Sequence, residues 1–130
     1  HQAQDLTHLA GKQIAKLQRK ISCQTDHFMQ LTTEQKHQLR KKVKQLRYSL
    51  EFTHSVLKPK QVKRYLKILK PLQEVLGEFN DLCVAEEHFK ILVNKQGEYW
   101  FALGWIAAQQ QQVLSRAHVA LQQFSRHAEL

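Results

Sequence analysis

Apolar residues recur along this chain at intervals of three and four, which predicts four helices. Over residues 3 to 23, Leu6, Leu9, Ala10, Leu17 and Ile21 share one face, with His8, Lys12, Lys16 and Arg19 turned away from it. "LTTEQ" then supplies a start signal. Thr32 as N-cap with Gln35 three residues on makes a capping box, and Glu34 suits the positive end of a helix. The second helix carries Leu39, Val43, Leu46, Leu50 and Leu57 within an arc of about 60°. Lys58-Pro59 closes it, because a residue before proline avoids the α region, and Pro59 suits the first turn of the next helix.

That third helix keeps Leu69, Leu72, Leu76, Phe79 and Cys83 on one face, with Leu66 at its margin, and is predicted to reach about Val93. Pro71 falls inside it, where a proline is expected to kink or interrupt the helix. "NKQG" is the next connection. The fourth helix, over residues 98 to 127, sets Leu103, Ile106, Val113, Leu114, Ala117, Leu121 and Phe124 on one face. Trp100, Phe101 and Trp105 read as core or its margin. Four Gly and two Pro in 130 residues leave little turn material. The expected fold is therefore all-α, an antiparallel four-helix bundle over residues 1–130 as a single domain.

Composition narrows the class. No apolar run approaches the length that a bilayer requires, so no membrane partner is expected. Cys23 and Cys83 fit no metal or redox spacing and read as ordinary reduced thiols. No secretory signal is visible, which makes the cytoplasm the default compartment. The chain opens on His1, as a processed product or a fragment would.

Charge changes the picture more. The net charge is +9, but residues 36 to 70 hold twelve Lys/Arg against Glu51 alone. The remainder is slightly acidic, so one segment carries the basic character and points to an anionic partner. Within it, "HQLRKKVKQLRYSLEF" sets His37, Arg40, Lys41, Lys44, Arg47 and Tyr48 in one stripe facing away from the apolar arc. Glu51 falls on the same stripe, where it could neutralise one neighbour. The third helix repeats the row spacing with Lys60, Lys63, Lys67 and Lys70. Two such rows repel internally by a few tenths of a kcal/mol per pair, roughly, and on neighbouring helices they merge into one patch. Guanidinium forks, ammonium groups, an imidazole and a phenol suit phosphate oxygens. An elongated patch without a glycine-rich nest suits an extended polyanion better than a compact nucleotide.

Here a resemblance becomes specific. "HQLRKKVKQLRYSLEF" is similar to the His-x-x-Arg-basic-x-x-Lys-x-x-Arg-Tyr helix of CHAD domains, the conserved-histidine α-helical family. "LKPLQEVLGEFNDLCVA" resembles that family's next helix through Leu72, Gln73, Leu76, Gly77, Asn80 and Asp81, and "GWIAAQQQQVLSRAHVALQQF" resembles its closing helix. The family is known as a binding module for inorganic polyphosphate, built from two related four-helix halves around a basic surface. The resemblance implies contacts from His37, Arg40, Lys41, Lys44, Arg47 and Tyr48, with Lys63, Lys67 and Lys70 as additions. It also implies association with polyphosphate granules. It covers the carboxy-terminal half, so pairing with a second copy or with an amino-terminal half follows from it.

Other chemistries fit less well. Glu34-x-x-His37 and Glu51-x-x-His54 match the carboxylate–histidine pair of di-iron bundles, but both lie on one helix among cations. Nucleic acid is the alternative partner, although Tyr48 and Tyr65 alone bring aromatic faces near the cations. Docking of an acidic protein is a third reading. No nucleophile–base pair, Walker loop or acid cluster for Mg²⁺ stands out, so a non-enzymatic protein without metal or cofactor is expected. Asp81 is either a surface acid or an orienting partner for an arginine across the bundle.

Overall fold

The computed structural model describes residues 2–55, 59–96 and 99–129. Four helices follow in order: α1 (Gln2–Ser22), α2 (Thr33–His54), α3 (Pro59–Gln96) and α4 (Trp100–His127), with a single 3-10 turn at Phe28–Gln30 between the first two. Each packs against its neighbour in sequence, and α4 returns to α1, which closes an antiparallel four-helix bundle. The capping box at the start of α2 is complete: the Gln35 backbone N–H donates to Thr32 Oγ1 at 3.1 Å, and the Thr32 N–H donates to Gln35 Oε1 at 2.8 Å. Leu57 and Lys58, placed at the end of the second helix from sequence, lie outside the described residues.

Pro71 does not interrupt α3, which continues through it to Gln96 and so runs past the expected end at Val93. A proline removes one backbone donor and crowds one carbonyl. Packing along both flanks outweighs that local loss: Leu69, Leu72, Val75 and Leu76 around it are all buried. The core joins these to Ile14, Leu17 and Ile21 of α1, Leu39, Val43, Leu46 and Leu50 of α2, and Val113, Leu114, Ala117, Leu121 and Phe124 of α4. Full burial of each aliphatic side chain contributes about 1.5–3 kcal/mol.

The helices differ in length, and that mismatch overturns part of the expected core. The Gln18 amide donates to the Ala128 carbonyl at 2.9 Å, so α4 ends level with the carboxy-terminal third of α1. The first turns of α1 then have α2 as their neighbour but no α4, and Leu6 and Leu9 are 48% and 61% exposed. At the opposite end, the start of α2 lies beside Phe79, so α3 and α4 continue beyond it as a hairpin of roughly 25 Å. Trp100, Phe101 and Trp105 on this extension are 60–79% exposed instead of core.

Among the described residues three side chains with polar groups sit inside the bundle: Thr53, whose hydroxyl donates to the Leu50 carbonyl at 2.9 Å, Tyr65 and Lys36. Tyr65 is fully buried, away from the cations near which the sequence set it, and donates to Gln18 Oε1 at 2.6 Å. Lys36 is 8% exposed, with its ammonium donating to the Leu31 carbonyl at 2.9 Å and lying 5.9 and 5.8 Å from the Phe28 and Phe79 ring centroids. Burial lowers its pKa from the ordinary lysine value, and the neighbouring Cys83 thiol opposes that shift. Lys36 thus closes the top of the α1–α2 connection onto α3 through one hydrogen bond and two cation–π contacts.

Two outcomes are expected. Lys36→Ala should lower the unfolding free energy by about 1–3 kcal/mol, whereas Lys41→Ala on the exposed face should change it by less than about 0.5 kcal/mol, both read from urea unfolding. Loss of hydration raises the Tyr65 pKa above its ordinary 10.0, so the folded chain keeps a proton that the unfolded chain releases. The associated stability is complete below about pH 10 and is lost as the pH rises further. Between about pH 9.5 and 11 the urea midpoint should fall more steeply for the wild type than for Tyr65→Phe. At neutral pH that variant should be less stable by about 0.5–1.5 kcal/mol.

Candidate polyanion-binding groove

The α2–α3 contact decides where each cation stands. Two pairs mark its antiparallel register: the His37 ring lies 6.2 Å from that of Phe79, and Arg47 and Lys70 line one groove between the helices. Interpolation between them puts Arg40 level with Gly77 and Lys44 level with Gln73. His37, Arg40, Lys44 and Arg47 are all half-buried, on the flank of α2 that leans toward α3. Opposite them, α3 presents Gln73, Gly77 and Asn80, the polar and small residues of the "LQEVLGEFND" stretch. A Cβ on Gly77 would meet nothing within 4 Å, so packing does not demand a glycine there, and its effect is to keep that wall of the groove low.

Lys41 and Tyr48 stand farther out, and both are exposed. Tyr48 supports its neighbour: the Arg47 guanidinium carbon lies 4.8 Å from its ring centroid, which stacks and orients the fork. Lys63, Lys67 and Lys70 are exposed on α3. The two rows do not run side by side. Because the helices are antiparallel, the α2 row extends from Arg47 toward Phe79, and the α3 row extends from Lys70 the other way. They meet end to end, giving one stripe of about 25 Å from His37 to Lys63.

The acids are arranged around the meeting point. Arg47 Nε is 3.5 Å from Glu51 Oε1, and Lys70 Nζ is 3.9 Å from Glu74 Oε1, both within one helix turn. The Glu51 contact was readable from its place on the stripe. Glu74 was overlooked, although its i, i+4 spacing from Lys70 is the signal that finds such pairs. His37, Arg40, Lys41, Lys44, Lys63 and Lys67 make no ion pair among the described residues. Asp81 is exposed and, among the described residues, makes neither an ion pair nor a side-chain hydrogen bond. The arginine across the bundle, Arg116 of α4, is held by Glu78 instead.

Among the described residues, no group of three or more His, Cys, Asp and Glu side chains could hold a metal ion. Among the described residues, no helix is long and apolar enough to cross a membrane. The Cys83 thiol is partly buried, and that burial raises its pKa, which keeps it protonated and poorly nucleophilic. What the groove offers is fixed positive charge: guanidinium and ammonium groups along a furrow whose other wall carries amides.

No curated protein and no solved structure matches the chain. The model of the CHAD domain matches residues 1–90, which takes in α1, α2 and most of α3, including every cation of the stripe. The chain belongs to the CHAD-domain family, a family associated with polyphosphate binding.

Proposed function

We propose that this chain binds inorganic polyphosphate along the α2–α3 stripe and does not change it chemically. The observation that carries this reading is the end-to-end junction of the two rows at Arg47 and Lys70. A compact anion needs a convergent nest, whereas a furrow of about 25 Å with cations along its length matches a linear polymer of phosphates. Arg40 and Arg47 pair through two nitrogens each, Lys41, Lys44, Lys63, Lys67 and Lys70 add point charges, and His37 and Tyr48 contribute ring N–H and hydroxyl groups. Such a module serves to anchor or scaffold a cytoplasmic protein on polyphosphate granules.

Nucleic acid shares the phosphate chemistry but favours a different surface. Base stacking needs free aromatic faces beside the cations, yet Tyr65 is buried and the Tyr48 ring already carries Arg47. Long polyphosphate is therefore expected to displace DNA or RNA from this protein at far lower phosphate concentration than the reverse.

Reversing charge at Arg40→Glu with Arg47→Glu should reduce polyphosphate affinity by about a hundredfold or more in a fluorescence or calorimetric titration. The same double variant should keep its unfolding free energy within about 1 kcal/mol, because neither residue belongs to the core and Glu51, the partner of Arg47, is more than half exposed. Undiminished binding would refute the site. Wild-type affinity should also fall by about tenfold or more between 50 and 200 mM salt, since bound chains release counterions.

A further inference from the structure

The junction that joins the two rows is also the place where the chain neutralises its own charge. Arg47, Glu51, Lys70, Gln73 and Glu74 line one depression of about 310 Å³ between α2 and α3. Arg47 is stacked there on the Tyr48 ring and approached by Glu51. Its Nε is shut off from solvent and has no hydrogen-bond partner, because Glu51 stops at 3.5 Å. A buried, orphaned donor on a positioned guanidinium marks a place where an acceptor belongs. Both carboxylates are more than half exposed, and both contacts are longer than a charge-assisted hydrogen bond, so each acid can swing away at small cost.

We propose that Glu51 and Glu74 are resident counter-ions that a bound polyphosphate displaces, and that the cost of displacing them sets the shortest chain that binds appreciably. The inference rests on the polyphosphate reading and adds a regulatory element to the same site. Without the two acids, the convergence of Arg47 and Lys70 from different helices would be the strongest point for a lone phosphate or a triphosphate. With them, that point is already neutralised. An anion gains there only if it also reaches the unpaired cations on either side, Arg40 and Lys44 in one direction and Lys67 and Lys63 in the other. The displacement cost is fixed, while the return grows with each phosphate bound beyond the junction. Short chains set few contacts against that cost and bind weakly, whereas long chains set many against it and bind well.

The test compares the full chain with Glu51→Gln/Glu74→Gln, and with a control that removes the same charge elsewhere. Glu86→Gln/Glu87→Gln serves as that control, because these acids pair with Lys90 on the distal hairpin. Calorimetric titrations with tripolyphosphate and with long-chain polyphosphate are the readout, and circular dichroism melts confirm that all three proteins fold. Glu51→Gln/Glu74→Gln should bind both tripolyphosphate and the long polymer about tenfold more tightly, because the same fixed cost is removed from each. The control should move both affinities by less than about twofold. Unchanged affinities in Glu51→Gln/Glu74→Gln, or equal gains in both double variants, would overturn the displacement while leaving polyphosphate binding intact. Wild-type protein that binds neither ligand would instead overturn the polyphosphate reading and this inference with it.

Discussion

The antiparallel seam between α2 and α3 governs the rest of the molecule. Leu39, Val43, Leu46 and Leu50 on one side and Val62, Tyr65, Leu69, Leu72 and Leu76 on the other are all buried in the shared core. Sliding one helix by a turn would expose several of them, at a cost of about 1.5–3 kcal/mol for each aliphatic side chain. Apolar packing therefore fixes the register, and the register places Arg47 beside Lys70. No ion pair between α2 and α3 contributes to that alignment among the described residues. The core holds the cations together against their mutual repulsion, so the charge can remain largely unpaired.

Lys36 is the exception that clarifies the rule. It belongs to the same basic segment, yet it turns inward to the Leu31 carbonyl and the faces of Phe28 and Phe79. One lysine is thus spent on structure, at the turn that leads α1 into α2, while its neighbours on the adjoining flank stay available. A long aliphatic stem makes such a position tolerable, because it covers apolar surface while the ammonium finds acceptors at its end.

The all-α architecture, the Thr32 capping box and the core face of α2 were legible from periodicity and cap chemistry, because each depends on residues close together in the sequence. The misplaced residues share a different cause. Leu6, Leu9, Trp100, Phe101 and Trp105 lie on helical faces as apolar as the rest, and what leaves them exposed is the absence of a neighbouring helix at that height. Relative helix length and stagger decide this, and a one-helix pattern does not encode them. The same holds for the site. Spacing identified both cationic rows and the sides they occupy, and the i, i+4 pair of Lys70 with Glu74 lay equally within its reach, but the end-to-end meeting of the rows follows from the direction of packing. Tyr65 shows the limit in reverse: its place among lysines says nothing of a phenol that points through the core to Gln18.

The most direct test of the central claim is a map of backbone amide chemical-shift changes in the uniformly labelled chain as long-chain polyphosphate is added. The account predicts changes concentrated over residues 37–48 and 63–74, on both sides of the α2–α3 seam, with α4 largely undisturbed. Changes confined to one of the two helices, or centred on Trp100, Phe101 and Trp105, would contradict it.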